Sequence, residues 1–561
     1  MILKRIPFLR LRGKGIFVKE ENMKKLMAGI LALSMILAMT ACGETGDPTK
    51  TGSAAGGSTE APSASVPASS ETPEPSSEPG SEPAGADGEQ EGLLKVFLDR
   101  NYKYDESGTL SYDFVVLDEK EAASFSALAA SLESLNEETE ATALEEMKGI
   151  AELTGYKSLG FYIYVLRADR NLLSLRLEST FVHDSETENK GVFAATFDTK
   201  SGKQIYPDDL ITDFDKFDGV VKSKLDALSV QYSDQDLEYA EYFFGYEGVW
   251  VKLPDDEHTM VSVAYGEADV FDKRVAGAPE DWISNIGTVT GGFADVNGDG
   301  TEERIYTVSE KMDEWAEKTT VYAGDASYEI EYDGYDRNLY LVKNKGNYYV
   351  WYSTNTDNDW PNLCILDPLA SGSILMGTYG LDEAEIELSD ESSRELLLLD
   401  PAALVLESRT DALSTYRVAN EFFVDGDGLV SIRDDIWNGR SLNALKLLTD
   451  LTVDTVDAEG NVTGTAVLKK DSYVGLCRTD YVFFYENQPE AESYWVDVLP
   501  VKEEDVEFLG DEDFTMQRLR ESLDFDEADT FWRVRFEYED WTRMINGMAE
   551  DEVFTGGMYA G

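Results

Sequence analysis

Histidine is nearly missing from this 561-residue chain: there are two, His183 and His258. That leaves little room for a histidine-held metal centre or a Ser-His-Asp triad. Basic residues are scarce as well, 48 Lys and Arg against 110 Asp and Glu, a formal net charge of −62. So anionic a surface repels phosphate backbones, which excludes nucleic acid as a partner, and it disfavours direct docking on anionic lipid. No Gly-x-Ser-x-Gly, Ser-x-x-Lys, His-Glu-x-x-His, Gly-x-x-x-x-Gly-Lys or Gly-x-Gly-x-x-Gly motif occurs,. What is present is ample apolar material, 42% of residues with 11% aromatic, enough to build cores and to exclude a wholly disordered protein. At ~150 residues per domain the length suggests three or four domains, less any tail.

The N-terminal stretch reads as an address. Met23-Lys24-Lys25 is a short positive segment, and Leu26–Ala41 is an apolar run of 16 residues. That is short for a spanning helix, which needs ~20, and right for a signal-peptide core. It ends Met39-Thr40-Ala41-Cys42, which resembles the lipobox of bacterial lipoproteins. The resemblance implies that Cys42 is lipidated and becomes the first mature residue, so the protein is expected on the extracytoplasmic face of a cell membrane, held by its lipid anchor. Lys19-Glu20-Glu21-Asn22, directly before Met23, can be encoded by a purine-rich string resembling a ribosome-binding site. Met23 is therefore expected to be the true start and residues 1–22 a translated leader. Residues 43–92 are Ser, Pro, Gly, Ala, Thr and Glu with almost no large apolar side chain. Such a stretch cannot offset its ordering entropy and reads as a tether spanning ~40 Å as a coil.

Beyond the tether the expected fold class is α+β and multi-domain: an N-terminal α+β antiparallel-sheet domain over 93–275, then β-rich domains over 276–400 and 401–561. Strand-like stretches at Val96–Tyr104 and Leu110–Leu117 lead to Asp118, a helix cap with Glu121 as its capping-box partner. Phe125, Leu128, Leu132 and Leu135 form one helical stripe, and Leu144, Met147 and Ala151 a second helix. Leu173, Leu175, Leu177 and Phe181 alternate with polar residues as in a half-buried strand. Asp213 opens a further helix. Asp169-Arg170-Asn171-Leu172-Leu173-Ser174-Leu175 followed by Phe197-Asp198-Thr199-Lys200-Ser201-Gly202-Lys203 resembles the extracytoplasmic domain shared by the anti-sigma factor RsiV and the peptidoglycan deacetylase PdaC. The resemblance implies a fold and a cell-envelope setting. It carries over neither activity, since the deacetylase's histidine ligands and the anti-sigma factor's sigma-binding segment and spanning helix are not found.

The strongest chemical motif is Asp295-Val296-Asn297-Gly298-Asp299-Gly300-Thr301-Glu302-Glu303. Asp295, Asn297, Asp299 and Glu303 offer side-chain oxygens, Thr301 its carbonyl, and Gly300 permits the sharp turn, the pattern a hard cation requires. Position 12 is Tyr306 rather than Glu, and Arg304–Val308 reads as a strand. The loop therefore resembles the strand-flanked calcium loops of FG-GAP and VCBS repeats, and a structural Ca2+ with an affinity of ~0.1–1 mM is expected; a metal-free acidic hairpin is the other reading. A single clean copy argues against a full propeller. Asp425-Gly426-Asp427-Gly428 reads as a hairpin turn. Asn355, Asp357 and Asp359, with Trp360, form a possible ligand-binding site or a polar loop tip. A hairpin is expected about Asn344-Lys345-Gly346, its aromatics 348–352 serving as core pairs or, less simply, as sugar-stacking rings. Helical signal in the last domain is thin except near Ser441–Leu448 and Met516–Ser522. Cys364 and Cys477 could pair in an oxidising compartment or stand as two buried thiols. His183 reads as structural and His258 as a solvated loop residue.

These features point to a lipid-anchored, calcium-stabilised, non-catalytic binding or sensing protein of the bacterial cell envelope, with a cell-wall or extracellular protein or glycan as ligand. With about one residue in five acidic, an Asp/Glu pair of glycosidase type is neither detectable nor excluded. A cell-wall glycan hydrolase is therefore the alternative, and a passive surface scaffold the third reading.

Overall fold

The computed structural model describes residues 92–105, 108–150, 155–183, 186–255, 259–312, 317–356, 360–369, 375–389, 392–440, 444–482, 493–506, 530–539 and 542–559. The leader, the signal peptide with Cys42, the tether up to residue 91, His258, Asp357, Asp359 and Met516–Ser522 lie outside them. The described residues all fall in one compact unit that includes Gly88–Gly561.

An eight-stranded sheet begins with the hairpin Val96–Asp105 and Gly108–Leu117, paired residue for residue from Val96↔Leu117 to Asp105↔Gly108. Asp118 caps the helix Glu119–Ser124 by accepting from the Lys120 amide at 2.9 Å. Glu121 does not close a capping box; its carboxylate meets Arg170 at 3.2 Å. Phe125 adopts φ −120°, ψ 49° and ends that turn. The two expected helices behind it are one, Ser126–Ile150, with Leu128, Leu132, Ala143, Met147 and Ile150 on its buried stripe,. The helix carries the chain back so that Lys157–Ala168 pairs parallel to Gly108–Leu117, as a parallel neighbour requires a crossover. The meander Leu172–His183, Glu186–Asp198 and Gln204–Ile205 follows. At the other edge, Glu385–Ser389 and Ser392–Leu396 join Val96–Asp105, with Phe97 opposite Leu396.

This corrects the expected fold class. The described residues are β-dominated, 54% strand against 16% helix, and no clear N-terminal α+β domain stands apart. The first sheet is completed by strands from nearly 300 residues away, and its helix stripe covers only part of it. Beside it, the helix Phe214–Ala227, capped by Asp213 through the Lys216 amide at 3.1 Å, buries Phe217, Val221 and Leu225 against the three-stranded sheet of Glu241–Phe244, Gly248–Lys252 and Met260–Ala264.

A five-stranded sheet runs through Trp282–Asn285, Tyr335–Asn344, Asn347–Thr356, Trp360–Leu366 and Leu375–Tyr379. Its central hairpin turns at Lys345 and Gly346, both at positive φ (52° and 80°), the type I′ geometry that matches strand twist. Tyr349 and Trp351 face one core, Val350 and Tyr352 another. The aromatics are thus core residues on both faces, which is why the strand reads as almost continuously apolar. The largest sheet has 14 strands, built mainly from Leu404 onward. Ala444–Leu447 is one of its strands, paired to Tyr473–Gly475 and to Phe554–Thr555. The helix expected near Ser441–Leu448 is therefore not formed over its described part: pairing on both sides outweighs local propensity. No described helix is long and apolar enough to cross a membrane.

Candidate functional site

The oxygen-rich loop joins Gly292–Ala294 to Glu303–Lys311, two antiparallel strands of a four-stranded sheet completed by Glu317–Ala323 and Ala326–Asp333. Gly298 and Gly300 hold φ of 73° and 88°, a region other residues enter only with strain. Asp295 accepts from the amides of Asp299 and Gly300 at 3.0 and 2.9 Å. Asn297 accepts from the Asp299 amide at 2.8 Å, and Asp299 from the Thr301 amide at 2.8 Å. The Glu303 carboxylate accepts from Asn297 Nδ2 at 2.8 Å and from the Val296 amide at 3.1 Å. Burial, reinforced by the charges of Asp299 and Asp295, pushes the Glu303 carboxyl up.

The fold thus gathers Asp295, Asn297, Asp299 and Glu303 into one hydrogen-bonded knot, with Thr301 exposed beside it. The donor set suits a hard cation. The oxygens, however, point at the loop's own amides, and among the described residues no group of three acidic, His or Cys side chains is disposed to hold a metal ion. A bound ion would have to draw the Asp295 and Asp299 carboxylates off those amides. Glu302, which the motif left without a role, tucks inward, and burial raises its carboxyl to about 7.

The same hairpin carries a feature that sequence reasoning missed. Ile305, Val321 and Ala323 enter the core, so their neighbours Tyr306 and Tyr322 lie on the opposite face, directly paired in register. Their rings stack at 4.9 Å with 15° between planes, half-buried, and the Arg304 guanidinium sits 4.9 Å over Tyr306. Val308 on that face is 42% exposed. The alternation of Tyr306 and Val308 was visible in the sequence; their partner was not, because register fixes it.

The other expected residues separate. Asn355 is buried and donates to Asp382 at 3.0 Å, and Trp360 opens the next strand opposite Thr356. With Asp357 and Asp359 outside the described residues, no joint site of these four is seen. Asp425 accepts from the Asp427 and Leu429 amides at 2.9 and 3.0 Å, the hairpin turn expected there. His183 stacks on Phe181 at 6.0 Å. Cys364 and Cys477 are buried thiols, not a disulfide, and they sit in different cores.

No family model and no curated protein matches the chain. Solved structures that resemble part of it include a DUF3298 family protein from Bacteroides fragilis, at 13% identity and TM-score 0.23 over 32% of this chain and 94% of that one. Another is a DUF3298 family protein from Pseudomonas aeruginosa, at 13% identity and TM-score 0.24 over 34% and 95%. At such values the likeness carries no argument about activity.

Proposed function

We propose that this is an extracytoplasmic binding or sensing protein of the bacterial envelope, lipidated at Cys42, held off the membrane by residues 43–92 and not catalytic. Three features support the address: the positive segment, the 16-residue apolar run and the small residues before the cysteine. The RsiV/PdaC-like stretch at 93–275 supports the envelope setting. The observation that carries the binding reading is the hairpin at Gly292–Lys311, which presents an oxygen-rich loop and, between its second strand and Glu317–Ala323, the stacked Tyr306–Tyr322 pair. Stacked rings beside a polar loop suit a glycan or a protein surface with flat apolar groups. Calcium at Asp295, Asn297, Asp299, Thr301 and Glu303 would be structural, neutralising carboxylates that otherwise repel.

The test mixes the protein with purified cell-wall sacculi, in calcium or in chelator, and reads both the bound fraction and any soluble muropeptides. Saturable binding without release is expected, weakened in chelator, in Asp299→Ala and in Tyr306→Ala. Released fragments would overturn the non-catalytic reading. Absence of binding in every condition would remove the wall as ligand and turn the search to secreted proteins.

A further inference from the structure

Three sheets meet at the two-residue strand Asp382–Glu383. Its backbone pairs with Leu406 and Glu407 of the largest sheet. Its side chains reach the five-stranded sheet: the buried Glu383 carboxyl accepts from the hydroxyls of Tyr340 and Ser353, the latter at 2.9 Å. Asp382 accepts from Asn355 Nδ2 at 3.0 Å and from the Glu383 amide at 2.9 Å. Ser353 and Asn355 stand two residues apart on one strand and so share a face, which brings the Glu383 and Asp382 carboxyls to the same side of the junction,.

The eight-stranded sheet closes the junction. From it come Glu385, Glu395, Arg100, Tyr102 and Asp113, with Arg100 on Asp113 at 3.1 Å and on Glu395 at 3.2 Å. Asp336 faces the same cluster from the strand of Tyr340. Glu407 lies behind, 2% exposed, with Arg440 at 3.2 Å and Arg417 at 3.6 Å, and it accepts from the Glu385 amide at 3.2 Å. Arg100 thus serves Asp113 and Glu395, and Arg417 and Arg440 serve Glu407, around the Asp382–Glu383 pair. A buried carboxyl with a second one beside it ionises only at a cost, and keeping its proton is the ordinary solution for Glu383.

We propose that the Asp382–Glu383 pair is a proton-operated clasp: with its proton it holds the three sheets together, and losing that proton to solvent loosens Glu385–Ser389 and Ser392–Leu396 from the junction. The proposal rests on neither the lipid anchor nor the calcium loop. Burial first, then the Asp382 charge, holds the Glu383 carboxyl well above the usual carboxyl range. A group raised in the fold contributes stability in acid and loses it as pH rises through its folded value. The clasp therefore closes in acid and opens toward alkali.

Hydrogen–deuterium exchange of the full chain, corrected for intrinsic rates, tests this on peptides covering 382–396. Their protection is expected to fall at least ~10-fold between about pH 5 and about pH 9, while a peptide from Ser126–Ile150 changes little. Glu383→Gln, which keeps both the acceptor for Tyr340 and a donor toward Asp382, should hold its protection across the range. Tyr340→Phe removes a hydrogen bond that favours the ionised carboxyl, so its loosening midpoint should move to higher pH, a shift that mere loss of packing would not give. A flat wild-type profile, the wild-type pH dependence persisting in Glu383→Gln, or an unmoved midpoint in Tyr340→Phe would overturn the proposal. If Glu383→Gln does not fold, the Tyr340→Phe midpoint decides.

Discussion

Single side chains with charge carry unequal weight here, and burial decides which matter. Asp497 is 0% exposed and holds two arginines, Arg533 at 2.7 Å and Arg478 at 2.8 Å. Each guanidinium also lies on a ring, Arg478 3.8 Å over Phe531 and Arg533 3.6 Å over Trp495. Removing the carboxylate strands two cations in a dry site, so Asp497→Ala should cost ~3–5 kcal/mol. A lowered urea midpoint with an unchanged slope would register it. The Lys469–Asp450 pair is nearly as short, 2.9 Å, but 69% and 54% exposed. Asp450→Ala should leave the midpoint where it was, because water and salt already do most of what the partner does. Equal effects from the two substitutions would mean that the Asp497 site is wet.

At the level of elements, the helix Ser126–Ile150 is the test of how the first sheet is held. Leu132, 2% exposed, packs with Leu128, Val115 and Leu117. Leu132→Ala should lose ~2–5 kcal/mol by transfer and cavity together, whereas Ser131→Ala on the exposed side should change little. Thermal unfolding of both variants checks the contrast. This helix also shows where the sequence was legible. Its stripe, the Asp118 and Asp213 caps, the type I′ turn at Lys345-Gly346 and the turn at Asp425 all follow from residues within a few positions of one another. What was hidden depended on distant partners: the parallel pairing of Lys157–Ala168, the edge strands at 385–396, and the strand at Ala444–Leu447 held from both sides. The candidate site divides likewise. The Asp295–Glu303 loop was readable because its spacing is local. The Tyr306–Tyr322 stack and the Asp382–Glu383 pair were not, since strand register and the meeting of three sheets create them.

For the molecule as a whole, the formal charge of −62 and the buried carboxyls act in the same direction. Glu241, Glu395, Glu407 and Asp480 are each pushed up to about 7, burial being the first cause in every case. Between the unfolded carboxyl range near 4 and that value the folded chain binds more protons than the unfolded one, so stability falls as pH rises. Surface repulsion adds to the fall, because deprotonation raises the net charge that compaction must bear. The melting temperature should therefore be highest near pH 5 and decline toward pH 8. Salt separates the two causes: it screens exposed charges within ~10 Å at 0.1 M and buried groups far less. If buried carboxyls dominate, the decline persists in high salt and becomes shallower in Glu407→Gln, whose amide needs no proton. If surface repulsion dominates, salt flattens the profile and Glu407→Gln leaves its slope alone. The first outcome is expected, since burial is the first cause of the shift in all four carboxyls and salt reaches buried groups far less than hydrated surface charges,.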